Sequence, residues 1–344
     1  MNFASDNHYG ATPEILAALA AVGPSPQPAY GDDDVTKRVT ARLCEVFERD
    51  VAVYPVINGT TANSLALATL VPPHGAVLCH AEAHIAVDEC GAPEFFTHGA
   101  KLVPIEGDDA KLTPDSIQKA LGHFHKGFVH HAQPAAISLT QSTELGTVYT
   151  PSEIGRIAAL ARARDMKVHM DGARFANALV GLGCTAAELT WKSGVDALSF
   201  GATKNGALAA EAVIFFDRKD VRDFEYRRKK SGHLLSKMRF LSVQLEAYLN
   251  DEHWLKNARR ANGLAQWLAQ GLSQTGAIQI VHPVSANAVF ARMPDALAKK
   301  LRQNGVHFYD WGVVSGGKTL ARLMLSFATP EEDVARLIDL ARDG

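Results

Sequence analysis

Residues Val51 to Ala81 read VAVYPVINGTTANSLALATLVPPHGAVLCHA and contain no Lys, Arg, Asp or Glu. A membrane helix needs about 20 predominantly apolar residues, so an uncharged run of this length raises that possibility. Pro55, Asn58-Gly59-Thr60-Thr61, Asn63-Ser64 and Pro72-Pro73 break it up. What remains is a strand at Val51–Val56, a turn, a buried helix at Thr61–Leu70 and a second strand at Ala76–Cys79. Apolar strands without polar alternation, joined through a helix, point to parallel pairing with both faces covered.

The alternation continues outward. Lys101–Pro104, Ala135–Thr140, Lys167–Met170, Ala197–Phe200 and Ala212–Phe216 read as further strands, with helices at Thr113–Leu121 and Pro151–Arg164. Thr113 and Ser152 are the expected N-caps, and Pro114 and Pro151 suit a first turn. From Lys219 the pattern changes. Two helical stretches, Asp220–Leu249 and Asp251–Leu272, precede strands at Ile278–Val281, Ala288–Arg292, His307–Asp310 and Leu320–Phe327, and a last helix follows Pro330. The expected class is α/β: a large domain, residues 1–245, around a mostly parallel seven-stranded sheet, and a smaller α+β domain, residues 246–344.

Composition agrees with this division. At roughly 150 residues per domain, 344 residues suit two. Hydrophobic residues at 47% and charged residues at 21% exclude a disordered chain. Lys and Arg number 35 against 37 Asp and Glu, a net charge of −2 with no long-range pull on nucleic acid or anionic membranes. The opening Met1-Asn2-Phe3-Ala4-Ser5-Asp6 lacks the basic and apolar regions of a secretory signal, so a cytoplasmic location is expected. Cys44, Cys79, Cys90 and Cys184 form no C-x-x-C pair and are expected to be reduced thiols. His8, His123 and His125 make no metal-ligand pattern, so no metal is expected.

In an open α/β sheet, ligands bind beyond the carboxyl ends of the strands. Three turns there carry chemistry. Asn58-Gly59-Thr60-Thr61 opens a helix, where free N–H groups favour an anion such as phosphate; it also reads as an ordinary capped helix start. Asp171, in His169-Met170-Asp171-Gly172-Ala173-Arg174, places a carboxylate at a strand end, or else caps a helix beside Arg174. Lys204 sits among small and apolar residues in Gly201-Ala202-Thr203-Lys204-Asn205-Gly206, where a partly desolvated amine can form a Schiff base; a loop lysine capping a helix is the alternative. A phosphate cradle, a strand-end acid and a Schiff-base lysine together are the set that holds pyridoxal phosphate.

With these motifs in order, the chain resembles the low-specificity L-threonine aldolases, in the fold type I (aspartate-aminotransferase-like) group of pyridoxal phosphate enzymes. Further marks are Phe3-Ala4-Ser5-Asp6, Tyr30-Gly31-Asp32-Asp33, Glu82-Ala83-His84 and Ala321-Arg322-Leu323. Asp88-Glu89-Cys90-Gly91-Ala92-Pro93-Glu94-Phe95 and Lys237-Met238-Arg239-Phe240 are similar to the pseudomonad-type branch.

The resemblance implies that Lys204 carries the cofactor, Asp171 pairs with its pyridine nitrogen, and Gly59, Thr60 and Thr61 hold the phosphate. His84 would lie over the ring and handle protons at the substrate hydroxyl. Ser5, Arg174 and Arg322 would bind the substrate carboxylate, and Arg239 and Tyr30 would approach a neighbouring subunit's site in a homodimer or homotetramer. The implied reaction is aldol cleavage of L-threonine, L-allo-threonine and related β-hydroxy-α-amino acids to glycine and an aldehyde. Many family members carry a second active-site histidine where this chain has Thr143, with His130 and His131 upstream. A β-eliminating lyase or an aminotransferase would use the same Lys, Asp and phosphate site. A non-catalytic binding protein could keep the fold.

Overall fold

Seven strands form one sheet in the order β1-β7-β6-β5-β4-β2-β3. They are β1 Ala52–Val56, β2 Gly75–His80, β3 Lys101–Ile105, β4 Gln133–Thr140, β5 Lys167–Gly172, β6 Ala197–Gly201 and β7 Glu211–Phe215. The description rests on a computed structural model and covers residues 1–221, 223–312 and 316–342. Arg222, inside the helical stretch expected from Asp220, lies outside the described residues.

Strands β6, β5, β4, β2 and β3 pair in parallel, while β7 runs antiparallel to both β6 and β1. Every residue of β2, β6 and β7 is buried, as their unbroken apolar character requires when helices cover both faces. The carboxyl ends of β1, β2, β4, β5 and β6 therefore share one edge of the sheet. Because β7 is reversed, its first residue, Glu211, reaches that same edge, opposite Val56 and Gly201.

The helix Gly59–Leu70 is buried from Thr61 to Ala68, which accounts for its apolar, uncharged sequence. Thr113 caps Pro114–Leu121 as expected. At Pro151–Arg162 the cap is Thr150 rather than Ser152. The Thr150 hydroxyl accepts from the Glu153 amide while the Glu153 carboxylate accepts from the Thr150 amide, which satisfies two helix-end donors reciprocally. The expected helix Asp220–Leu249 is divided into Phe224–Lys230 and Arg239–Leu249. Gly232, at φ +82°, takes the left-handed turn between them.

A second, antiparallel sheet has the order β10-β11-β9-β8, with β8 Gln279–Ile280, β9 Ala288–Pro294, β10 Tyr309–Asp310 and β11 Lys318–Met324. It packs against His253–Ser273 and Glu331–Arg342 around a core of its own that includes Leu268, Val289, Leu323 and Leu337. The chain's start joins this second core. Phe3 is fully buried there, its amide donates to His307 O at 2.8 Å, and its carbonyl accepts from the Met324 amide at 2.8 Å. Ser5 and Asp6 are thereby carried across the gap between the two sheets. No helix among the described residues is long and apolar enough to cross a membrane.

Candidate active site

The gap encloses a cavity of about 610 Å³ at the carboxyl edge of the large sheet. Ser5, Gly59, Thr60, His84, Asp171, Arg174, Lys204 and Arg322 all line it. Residues spread over more than 300 positions of sequence thus meet at one place.

Gly59 and Thr60 begin the helix that follows β1. Its N-cap, Asn58, accepts from the Thr61 amide at 2.9 Å, and Asn58 O accepts from the Ala62 amide at 3.1 Å. The Gly59 and Thr60 amides have no acceptor among the described residues, so two donors at a helix N-terminus are left for an anion. A Cβ built on Gly59 would meet nothing within 4 Å, which leaves the approach open. Thr61 is differently placed: its hydroxyl lies 2.9 Å from His233 Nε2, and it does not line the cavity.

Asp171 closes β5 and is buried. Its Oδ1 accepts from the Ala173 amide at 3.0 Å and its Oδ2 from Asn63 Nδ2 at 2.8 Å. Neither bond involves Arg174, and the following helix, Phe175–Leu182, has no side-chain cap, so the capping role considered for Asp171 is not taken up. Asn63 Nδ2 also donates to Glu89 Oε1, and the same oxygen lies 2.8 Å from His84 Nδ1. Asp171, Asn63, Glu89 and His84 form one connected chain. The Glu89 hydrogen bond raises the His84 pKa above its ordinary value, against the effect of burial.

Lys204 follows β6 in the turn Thr203–Asn205. Gly201, just before it, is required by close approach, because a Cβ there would lie 2.6 Å from Ala173 O. Lys204 makes no hydrogen bond or ion pair to a side chain or carbonyl among the described residues. Burial, and secondly the Arg174 charge, hold its pKa below the usual lysine range. The turn is fastened from beneath by Glu211, whose carboxyl oxygens accept from the Ala202 amide at 3.2 Å and the Thr203 amide at 3.3 Å. Burial pushes Glu211 up to about 7.

Arg174 is held on one side. Its Nε donates to Asp6 Oδ2 at 2.7 Å and its Nη2 to Asp6 Oδ1 at 2.9 Å, a two-pronged pair. Asn287 Nδ2 adds a third bond to Asp6 at 3.1 Å. Burial alone would raise Asp6, but the Arg174 charge and hydrogen bonds, with Lys204 nearby, bring it down to about 2. Arg322 is different. It lies on β11, an inner strand rather than an edge, with its guanidinium 4.7 Å over the Trp311 ring and 5.5 Å from that of Tyr309. Among the described residues its Nε has no hydrogen-bond partner, and its Nη2 reaches only Ala4 O at 3.4 Å.

Tyr30 and Arg239 do not line this cavity. Tyr30 is exposed, with Lys229 Nζ 5.0 Å from its ring, and Arg239 lies over the neighbouring Phe240 ring. Thr143 does line it, whereas His130 and His131 do not. Reasoning from sequence gave no role to Asp6, Asn63, Glu89, Glu144 or Glu211. Two of these, Asp6 and Glu89, stood inside motifs quoted for the resemblance, and only the fold shows what each of the five touches.

A family model described as beta-eliminating lyase matches residues 2–296. The low specificity L-threonine aldolase of Pseudomonas sp. (strain NCIMB 10558) is 44% identical over 341 residues, 99% of this chain and 96% of that protein. The chain belongs to the low-specificity L-threonine aldolases of the beta-eliminating lyase family. As a member of that family it is a lyase. A solved Leishmania major threonine aldolase superposes with a TM-score of 0.94 at 27% identity, covering 99% of this chain and 98% of that one. A Sphingomonas wittichii serine palmitoyltransferase, at a TM-score of 0.73 and 14% identity over 100% of this chain and 86% of that one, shares the fold. The α/β architecture with a mostly parallel seven-stranded sheet is that of the fold type I group.

Proposed function

We propose that this chain cleaves L-threonine, L-allo-threonine and related β-hydroxy-α-amino acids to glycine and an aldehyde, with pyridoxal phosphate held in the cavity described above. The observation that carries the reading is Lys204: an amine without a partner among the described residues, in one cavity with a strand-end carboxylate and two helix-start amides likewise unclaimed. The residues present fit the cofactor. Gly59 and Thr60 would take its phosphate, Asp171 its pyridine nitrogen and Lys204 its aldehyde carbon, with His84 over the ring. Once bound, pyridoxal phosphate supplies an acceptor for the electron pair left on the substrate's Cα.

The chain's own groups do the rest. Lys204, with its lowered pKa, is an uncharged nucleophile at a lower pH than an exposed lysine. Arg322, whose Nε has no partner among the described residues, binds the substrate carboxylate together with Ser5 and the side of Arg174 that Asp6 leaves free. Fixing that carboxylate orients the Cα–Cβ bond for cleavage, and such alignment supplies roughly 7–11 kcal/mol of a barrier. Glu89 fixes the His84 imidazole through Nδ1, which leaves Nε2 to hydrogen-bond at the substrate. Thr61 is already engaged by His233, so the phosphate contacts belong to Gly59 and Thr60.

We assign the cofactor-holding role to residues 1–245 and the closing role to residues 246–344, in a cytoplasmic homodimer or homotetramer. Tyr30 and Arg239 would serve a neighbouring subunit's site there. The test is product analysis with L-threonine and L-allo-threonine. Acetaldehyde and glycine in equal amounts are expected. Ammonia and a keto acid instead would make the enzyme a β-eliminating lyase or aminotransferase and overturn the reading.

A further inference from the structure

After β4, where the resemblance leads to a second histidine, the chain carries Thr143, whose hydroxyl is turned to the protein. Its hydroxyl is 2.8 Å from Thr147 Oγ1 and 3.3 Å from Asp109 O, and the residue is 1% exposed. That hydroxyl ties down the turn. The next residue is of another kind. Glu144 lines the cavity, and its Oε1 accepts from the His84 backbone amide at 2.8 Å. Its Oε2 is buried and has no hydrogen-bond partner among the described residues, although the Thr140 hydroxyl is near enough to oppose the rise in its pKa. A buried carboxyl oxygen is normally paired, and the exceptions call for an explanation in chemistry or in a bound group.

We propose, resting on the aldol-cleavage reading above, that Glu144 is the acid–base residue of this site, standing where the family's second histidine is absent. In the forward reaction Glu144 takes the proton from the substrate's β-hydroxyl, directly or through one water. The hydroxyl oxygen becomes the aldehyde carbonyl, the Cα–Cβ bond breaks and its electron pair stays on Cα. Glu144 then returns the same proton to Cα, giving glycine. One proton leaves oxygen and one arrives at carbon, so no further reactant is needed. The amide of His84 fixes the carboxyl against the residue that would stand over the cofactor ring, and Glu89 separately fixes that residue's imidazole. Two glutamates thus brace one histidine, one from its backbone and one from its ring.

The electrostatic setting suits the role. Burial pushes Glu144 up to about 7, the His84 amide opposes this, and the Asp171 charge adds to it. Other ionisable groups that sense Glu144 include Arg174 beyond β5, Cys79 on β2 and Tyr149 ahead of the helix Pro151–Arg162. Cys79 is pushed up to about 12 and Tyr149 also rises, both by burial, so neither titrates near neutrality. A carboxyl poised close to the working pH can both accept and return a proton.

The test is Glu144→Gln in the cofactor-loaded enzyme. The amide oxygen still accepts from His84 but cannot carry the proton. The expected result is a kcat lower by roughly a hundredfold or more, with KM within about threefold and cofactor absorbance and affinity unchanged. The acidic limb of kcat/KM owed to Glu144 should disappear, while a limb that shifts in Glu89→Gln belongs to His84. An independent readout uses the cofactor-free protein: a protonated-carboxyl infrared band that titrates near neutrality and is missing in Glu144→Gln. If Glu144→Gln folds poorly, Glu144→Asp should keep the infrared titration and the pH limb at reduced kcat. A Glu144→Gln enzyme with kcat within threefold of the parent and the same pH profile overturns the proposal. If the unmutated enzyme makes no aldehyde, the underlying reading has failed instead.

Discussion

Asp6→Asn is the substitution whose cost can be worked furthest from the structure. Asp6 is 2% exposed and receives two bonds from Arg174 and one from Asn287. Its pKa falls from 3.8 to about 2, the Arg174 charge and hydrogen bonds outweighing burial. At roughly 1.4 kcal/mol per unit, that difference is about 2–3 kcal/mol favouring the charged form. Because the folded-state value is depressed, this stability is fully present above the unfolded value and is lost as pH falls toward about 2. The substitution also leaves the Arg174 guanidinium buried opposite a neutral amide. Removing one partner of a buried pair costs about 3–5 kcal/mol, so a loss of about 3 kcal/mol or more is expected at pH 7. Urea unfolding of the cofactor-loaded protein, followed by tryptophan fluorescence, measures it. The gap between parent and variant should narrow as the pH is lowered from 5 to 3. A loss under about 1 kcal/mol at pH 7, or a gap that does not change with pH, would show that the pair does not hold the first residues to the site.

Gly59→Pro tests the phosphate cradle, because proline is tolerated at the first helical position yet removes one of the two unclaimed donors. Pyridoxal phosphate affinity, measured by fluorescence titration, should fall about tenfold or more while helix stability is kept, and an unchanged affinity would remove Gly59 from the site. Glu89→Gln should lower the His84 pKa, since the Glu89 hydrogen bond is the main cause of its elevation. The His84 limb of the kcat/KM profile should therefore move to lower pH, and a limb that stays in place or moves up would contradict the geometry.

All seven large-sheet strands were legible to within two residues because their apolar runs are bounded by Gly, Pro and polar turns. The antiparallel direction of β7 was not, since an apolar strand buried on both faces reads the same in either direction. Ser152 and Thr150 are both plausible caps by composition. The choice fell to Thr150 because Glu153 stands three residues beyond it. Lys204 and Asp171 were readable because each breaks local expectation at a strand's end. Asp6, Asn63 and Glu89 were not, because their roles are pairings between separate segments; Glu211 was not, because only the reversed direction of β7 brings it back to the Lys204 turn. Likewise, the commitment of Thr61 to His233 depends on a residue 172 positions away.

The most direct test of the central claim is to load the protein with pyridoxal phosphate, reduce it with borohydride, digest it and map the modification by mass spectrometry. The account predicts one phosphopyridoxyl group, on the peptide containing Lys204, and none in Lys204→Ala, which should also be inactive. Attachment to a different lysine, or no attachment in a protein that still releases aldehyde from threonine, would contradict it.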